Sequence, residues 1–165
     1  METKILMEFS IDKENTKVKV ERSFVAALQK VWEAWTDSSL LDQWWAPKPW
    51  KTVTKTMDFS EGGYWLYAMV GPEGEKHWGR LDFQSIHPED GFKATDAFCD
   101  ENGTIDDNFP GSMWVSKFSE KDGYTTVDIE ISFKEQAHLE QMIDMGFREG
   151  FTSGLQNLEE LLASK

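Results

Sequence analysis

Hydrophobic and polar residues alternate along Tyr124–Phe133, the last segment with the composition of a β-strand. One face of this segment carries four apolar residues, Val127, Ile129, Ile131 and Phe133. The other carries four polar ones, Thr126, Asp128, Glu130 and Ser132. Because successive side chains of a strand point to opposite faces, the pattern predicts a sheet with one dry face.

Seven earlier segments also have strand composition and are bounded by turn residues or helical patterns. They are Lys4–Ser10, Lys17–Phe24, Thr52–Phe59, Tyr64–Val70, His77–Ile86, Gly91–Phe98 and Met113–Ser119. Short turn sequences such as Gly71–Gly74 separate the later strands, so an antiparallel meander is the simplest arrangement.

A helical period replaces the strand period in three places. Leu28–Trp35 and Ser39–Trp45 predict two short helices, and Glu135–Leu162 predicts a long C-terminal helix with one apolar stripe. That stripe must be buried, so we expect the last helix to lie against the sheet. The predicted fold class is therefore α+β.

Glycine recurs at intervals of four on the apolar stripe of the predicted C-terminal helix, at Gly146, Gly150 and Gly154. Each costs about 1 kcal/mol relative to alanine in a helix interior. Three gains would offset this cost: close approach of the helix to the sheet, space beside the helix for a ligand, or a kink.

Tryptophan is concentrated in one stretch, because five of the eight fall between Val31 and Trp50. They are Trp32, Trp35, Trp44, Trp45 and Trp50. Such large rigid side chains are expected to be buried together or to line a pocket.

Composition restricts the classes of partner. With 165 residues, of which 39% are hydrophobic, the chain is expected to form one domain over residues 1–165. A net charge of -13 disfavours nucleic acid and anionic lipid. The only cysteine, Cys99, has no intramolecular partner, and neither a leader-like start nor a membrane-spanning apolar run is present. We therefore expect a cytoplasmic protein without membrane insertion, whose oligomeric state, monomer or homodimer, stays open.

Few residues suggest chemistry. The three histidines lie on separate elements, and the acidic loop Asp100–Asp107 lacks the glycine and glutamate of a calcium loop. Acidic neighbours should raise the pKa of the Cys99 thiol. No nucleophile elbow, phosphate loop or dinucleotide fingerprint occurs. We assign no catalytic residue, metal or cofactor.

Charged residues within the predicted strands have two interpretations. Trp78, Arg80 and Asp82 share one strand face, and Asp96 shares a face with Phe98. They either face solvent or serve as the few polar anchors of an otherwise aromatic cavity.

Together with the order of elements, several short segments resemble the activator of Hsp90 ATPase C-terminal-like family of the START and Bet v 1 superfamily. The segments are Arg22–Ala27, Val31–Asp37, Leu40–Pro47, Asp58–Gly63, Gly71–Gly74 and Met145–Gly150. The resemblance covers Lys17–Leu162, with Ala27 where the family usually has proline and Ala46 where it usually has glycine.

The resemblance implies a helix-grip fold, in which a curved antiparallel sheet of about seven strands wraps around the C-terminal helix and leaves a cavity. The roles in this superfamily include co-chaperone domains, small-molecule binders and aromatase or cyclase enzymes. The eukaryotic co-chaperones carry a further N-terminal domain, which we do not expect in a chain of 165 residues.

The leading hypothesis is therefore non-catalytic binding of a small apolar or aromatic molecule. The expected ligand-binding residues are Trp65, Tyr67, Met69, Trp78, Arg80, Asp82, Asp96, Phe98, Trp114, Phe147, Gly150 and Phe151. A second hypothesis is a protein-interaction module with an exposed patch formed by Trp44, Trp45 and Trp50. A third is an enzyme that uses Asp82 or Asp96 as a cavity carboxyl.

Overall fold

A computed structural model describes residues 7–106 and 111–164, in which eight strands form one curved antiparallel sheet. The strands are β1 (Met7–Asp12), β2 (Lys17–Phe24), β3 (Lys51–Met57), β4 (Tyr64–Val70), β5 (Lys76–His87), β6 (Gly91–Cys99), β7 (Ser112–Lys121) and β8 (Tyr124–Ser132). Their order across the sheet is β1-β2-β8-β7-β6-β5-β4-β3. The predicted meander is thus confirmed from β3 to β8. Residues 4–6 of the first predicted strand and residue 107 of the acidic loop lie outside the described residues.

Two short helices, α1 (Leu28–Thr36) and α2 (Ser38–Trp44), connect β2 to β3 as predicted. Asp37 separates them, and its carboxylate accepts a hydrogen bond from the backbone N–H of Ser39 at 2.9 Å. This side-chain cap stabilises the start of α2.

The C-terminal segment forms the short helix α3 (Gln136–Asp144) and the long helix α4 (Phe147–Ala163). The predicted long C-terminal helix is confirmed, but it begins at Phe147 and not at Glu135. Gly146 lies between α3 and α4 with a φ of 90°. This left-handed conformation is readily adopted by glycine and costs other residues free energy. It ends the hydrogen-bond ladder of α3 and redirects the chain into α4.

The inner face of the sheet is covered by α1, α2 and α4. Val127, Ile129, Ile131 and Phe133 all belong to the core, which confirms the face predicted from their alternation. From α4, the core receives Phe151, Leu155 and Leu158.

Four of the five clustered tryptophans are buried in this core: Trp32, Trp35, Trp44 and Trp45. The indole N–H of Trp44 donates to the Ala34 carbonyl at 2.8 Å. Trp50 is half-buried and lies beside His77. The exposed patch expected for a protein-interaction module is therefore not formed, because Trp44 and Trp45 face the core.

Candidate functional site

A cavity of about 230 Å³ lies between the inner face of the sheet and the C-terminal helices. The wall on the sheet side comes from β4, β6 and β7, and the opposite wall comes from the end of α2, from α3 and from the start of α4. The lining residues are Trp45, Pro47, Tyr67, Met69, Asp96, Phe98, Trp114, Met142, Met145, Gly146, Phe147, Gly150 and Phe151.

Aromatic rings form much of the wall, and Trp45 is at their centre. Its ring centroid lies 6.3 Å from that of Tyr67, 6.0 Å from Trp114 and 5.9 Å from Phe151. The rings of Phe147 and Phe151 stack at 5.3 Å along α4, and Trp114 meets both edge-on. These side chains hold one another in place, so the wall is a rigid surface.

Glycine creates the space beside α4. A Cβ atom built on Gly150 would find only Pro47 Cγ within 4 Å, at 3.8 Å. A larger side chain at this position would extend into the cavity. Of the three gains considered for the glycines, Gly150 therefore provides the ligand-sized space, and Gly146 provides the kink.

Gly154 provides the close approach, although the neighbour is α2 and not the sheet. Its added Cβ would lie 3.0 Å from the Trp45 carbonyl oxygen and 3.2 Å from that of Trp44. Both distances are shorter than an ordinary van der Waals contact. Close approach to the sheet was one of the three gains considered from the sequence, and at Gly154 the helix instead approaches the end of α2.

Asp96 is the one carboxylate among the described lining residues. The backbone N–H and the hydroxyl of Ser112 both donate to its Oδ1, the former at 2.8 Å. Burial raises the pKa of the Asp96 carboxyl above its ordinary value, against the lowering effect of the Ser112 hydrogen bonds. The site therefore holds an oriented acid whose ionised form is poorly solvated.

Tyr67 is the second polar group in the wall. Burial raises the pKa of its hydroxyl, and the negative charge of Asp96 raises it further. The phenol consequently stays neutral at physiological pH and keeps its proton. It can donate a hydrogen bond within the cavity.

Seven further predicted ligand-binding residues line the cavity beside Asp96: Tyr67, Met69, Phe98, Trp114, Phe147, Gly150 and Phe151. Trp65 lies behind this wall, because it stacks on Tyr67 at 4.1 Å and is 1% exposed. It contacts a void of only about 10 Å³.

The other three predicted residues, Trp78, Arg80 and Asp82, lie on the outer face of the sheet. Their register partners on β4 are Ala68, Leu66 and Tyr64, which alternate with the inward-facing Trp65, Tyr67 and Met69. These three residues therefore do not line the cavity. All three are half-buried on this outer face, whereas Asp96 lies in the cavity wall.

Arg80 has a structural environment on that outer face. Its guanidinium donates to both carboxylate oxygens of Asp82, at 2.6 and 2.9 Å, and to the Gly103 carbonyl at 2.7 Å. It also lies over the Tyr64 ring, 4.4 Å from the centroid. These contacts hold the segment that contains Gly103 against the outer face of the sheet.

Five lining residues were absent from the predicted set: Trp45, Pro47, Met142, Met145 and Gly146. Trp45 and Pro47 come directly after α2. The density of tryptophan drew attention to this segment but did not indicate which way its side chains point. Met142 was recognised as part of an apolar stripe. Only the break at Gly146 places it and Met145 at the cavity.

Within the described residues, no helix is long and apolar enough to cross a lipid bilayer. No group of three or more histidine, cysteine, aspartate or glutamate side chains that could hold a metal ion was found there. Cys99 is a free cysteine, and burial raises the pKa of its thiol, with a smaller contribution in the same direction from Asp100.

Solved structures with this fold come from several bacteria. Protein Ms6760 from Mycobacterium smegmatis is 27% identical, with a TM-score of 0.87 over 94% of this chain and 95% of that one. A protein from Arthrobacter aurescens is 27% identical, with a TM-score of 0.90 over 96% and 92%. One from Staphylococcus epidermidis is 28% identical, with a TM-score of 0.82 over 94% of each chain.

The comparison with curated proteins gives no significant match. A family model described as Activator of Hsp90 ATPase homolog 1-like protein matches residues 25–163. This match includes α1, α2, strands β3 to β8 and both C-terminal helices. The family resemblance inferred from the sequence segments is thereby confirmed, and the helix-grip arrangement of sheet and C-terminal helix agrees with it. The chain belongs to the Activator of Hsp90 ATPase homolog 1-like protein family.

Proposed function

We propose that this protein binds a small apolar or aromatic molecule, without a covalent bond, in the cavity between the sheet and α4. The observation that carries the proposal is the ring-lined space of about 230 Å³ beside Gly150. Protein interiors are normally packed with few voids larger than a water molecule. A space of this size with a mostly apolar wall has the properties of a ligand site.

The volume indicates the size of the ligand. An apolar cavity of about 150 Å³ stays dry and accepts benzene, whereas typical ligand pockets measure about 300–1,000 Å³. At about 230 Å³, this cavity is suited to a molecule of one or two rings. Burying such a molecule removes apolar surface from water, which contributes about 25 cal/mol per Å².

Among the residues that the structure describes, three methionines line the cavity, Met69, Met142 and Met145, and this allows a direct test. We would label the methionine methyl groups with carbon-13 and titrate the protein with benzene, indole and 1-naphthol while recording methyl spectra. We expect these three methyl resonances to shift together. Met113, which pairs with Ser132 and Thr95 away from the cavity, serves as the internal control.

A matched pair of variants tests the location. Gly150→Leu should fill the space and abolish the methyl shifts, whereas Thr152→Leu, on the exposed side of the same helix, should leave them unchanged. If all three probes leave the methyl resonances of the folded protein in place, or if Gly150→Leu binds as the wild type does, the proposal fails.

A second candidate function, chemical conversion of the bound molecule, is favoured by one observation. Asp96 is a cavity carboxyl with a raised pKa, as a general acid requires, whereas Asp82 is on the outer face. Native mass spectrometry of gently purified protein would identify a bound molecule. That molecule would then be returned to wild-type protein and to Asp96→Asn. Its recovery chemically unchanged from the wild type would contradict catalysis and leave binding intact.

A further inference from the structure

We propose that the ligand carries a protonated amine, placed between the cavity rings and the Asp96 carboxylate. This inference rests on the proposed binding function and specifies its ligand class. Two independent features of the wall support it: the number of aromatic rings that line the cavity, and the charge of the lining.

The rings provide the first argument. Trp45, Tyr67, Trp114 and Phe151 all line the same cavity, and the Trp45 ring packs within 6.3 Å of the centroids of the other three rings. The face of an aromatic ring is electron-rich and attracts a cation within about 6 Å of its centroid. Cavities walled by several rings are the form in which proteins recognise organic ammonium groups.

The charge of the lining provides the second argument. Among the described lining residues, Asp96 is the only carboxylate, and none is a lysine, arginine or histidine. A buried carboxylate without a cation is costly, and hydrogen bonds offset only part of that cost. At Asp96 those hydrogen bonds come from the Ser112 backbone and hydroxyl, which are neutral donors. A ligand ammonium would supply the missing positive charge.

The hydrogen bonds of Ser112 also orient the acid. Asp96 Oδ1 accepts both of them, and the indole N–H of Trp114 donates to the Ser112 hydroxyl oxygen at 3.2 Å. The carboxylate is therefore held in one direction by a small network that includes a ring of the cavity wall. Such preorganisation lowers the entropic cost of forming an ion pair with a ligand.

The whole protein favours the same ligand charge. Its net charge of -13 attracts cations and repels anions at long range. The alternative ligand class is a neutral molecule that accepts a hydrogen bond from a protonated Asp96. The two classes predict opposite rankings of matched probes, so one titration separates them.

The experiment uses three probes that share a phenyl ring and differ in charge: benzylamine, benzyl alcohol and benzoate. Each is titrated into the methionine-labelled protein at neutral pH, and Kd is taken from the Met69, Met142 and Met145 methyl shifts. We expect benzylamine to bind at least about tenfold tighter than benzyl alcohol, and benzoate to bind most weakly. Asp96→Asn should remove the preference for the amine while retaining binding of the alcohol.

A surface control is necessary, because the outer face of the sheet also carries carboxylates. A groove there is lined by several acidic side chains, including Glu21 and Asp128. Asp128→Asn changes the net charge as Asp96→Asn does, and it should leave the benzylamine preference unchanged. Equal loss in both variants would mean that the attraction is long-range and would overturn the assignment to Asp96.

The remaining outcomes separate the two proposals. If benzyl alcohol binds as tightly as benzylamine or more tightly, the amine proposal is overturned and the binding function stands. If none of the three probes shifts the cavity methyl groups while benzene, indole or 1-naphthol does, the amine proposal is overturned and the binding function stands. If none of the six probes shifts them, the binding function itself is overturned. The ranking of probes on the wild-type protein decides between these cases even if Asp96→Asn does not fold.

Discussion

Gly150 and Gly154 lie one turn apart on α4, and the same substitution to alanine should affect protein stability in opposite directions. In both variants alanine removes the backbone-entropy cost of a helical glycine, a gain of about 1 kcal/mol. The two sites then differ only in what the added methyl group meets. Comparing them therefore isolates the steric contribution.

At Gly150 the methyl group would meet Pro47 Cγ at 3.8 Å, an ordinary contact. We expect Gly150→Ala to stabilise the protein by about 0.5–1 kcal/mol. At Gly154 the methyl group would lie 3.0 and 3.2 Å from the carbonyl oxygens of Trp45 and Trp44. Asn157 restrains the neighbouring backbone, since its Nδ2 donates to the Ala46 carbonyl at 3.0 Å and to that of Trp44 at 3.4 Å.

Because these carbonyl groups cannot retreat easily, the overpacking should cost about 1–3 kcal/mol. This cost should exceed the gain from helix propensity, so we expect the Gly154→Ala variant to be less stable than the wild type. The assay is urea unfolding followed by tryptophan fluorescence, with equal m values required for the comparison. Equal stabilisation by the two substitutions would refute the claim that α4 is held against the end of α2.

Three further predictions concern single residues. The Asp96→Asn variant should be more stable than the wild type at neutral pH. Burial raises the pKa of the Asp96 carboxyl in the folded state above its value in the unfolded chain. The wild type therefore loses stability as the pH rises from the ordinary carboxyl pKa through the raised one, and the variant does not. Urea unfolding of both proteins between about pH 3 and pH 8 would measure this. A difference in the free energy of unfolding that does not widen with pH would contradict the prediction. Gly146→Ala should cost about 1–2 kcal/mol, because its φ of 90° is unfavourable for alanine. A stability equal to that of the wild type would mean that α3 and α4 join differently. Arg80→Ala should speed hydrogen exchange of the Gly103 and Thr104 amides while leaving probe binding in the cavity unchanged; altered binding would show that the outer face communicates with the cavity.

Local patterns were sufficient to predict most of the secondary structure. The alternation that ends at Phe133 depends only on the period of an extended chain, so it correctly identified the inner face of β8 before any partner strand was known. The same rule placed Asp96 and Phe98 on one face and Arg80 with Asp82 on another. The rule could not predict which of these faces would be covered by the helices.

The sequence by itself therefore determined the order of strands and helices, the composition of the dry face and the concentration of tryptophan around the two short helices. Tertiary packing decided the rest, because identical residues acquired different roles from their neighbours. Gly146 breaks the helix, Gly150 leaves the cavity open, and Gly154 admits the end of α2. Helix periodicity reports only that these glycines share a stripe. What lies against Gly150 and Gly154 depends on residues about a hundred positions away, which meet them only when the chain after α2 packs against α4.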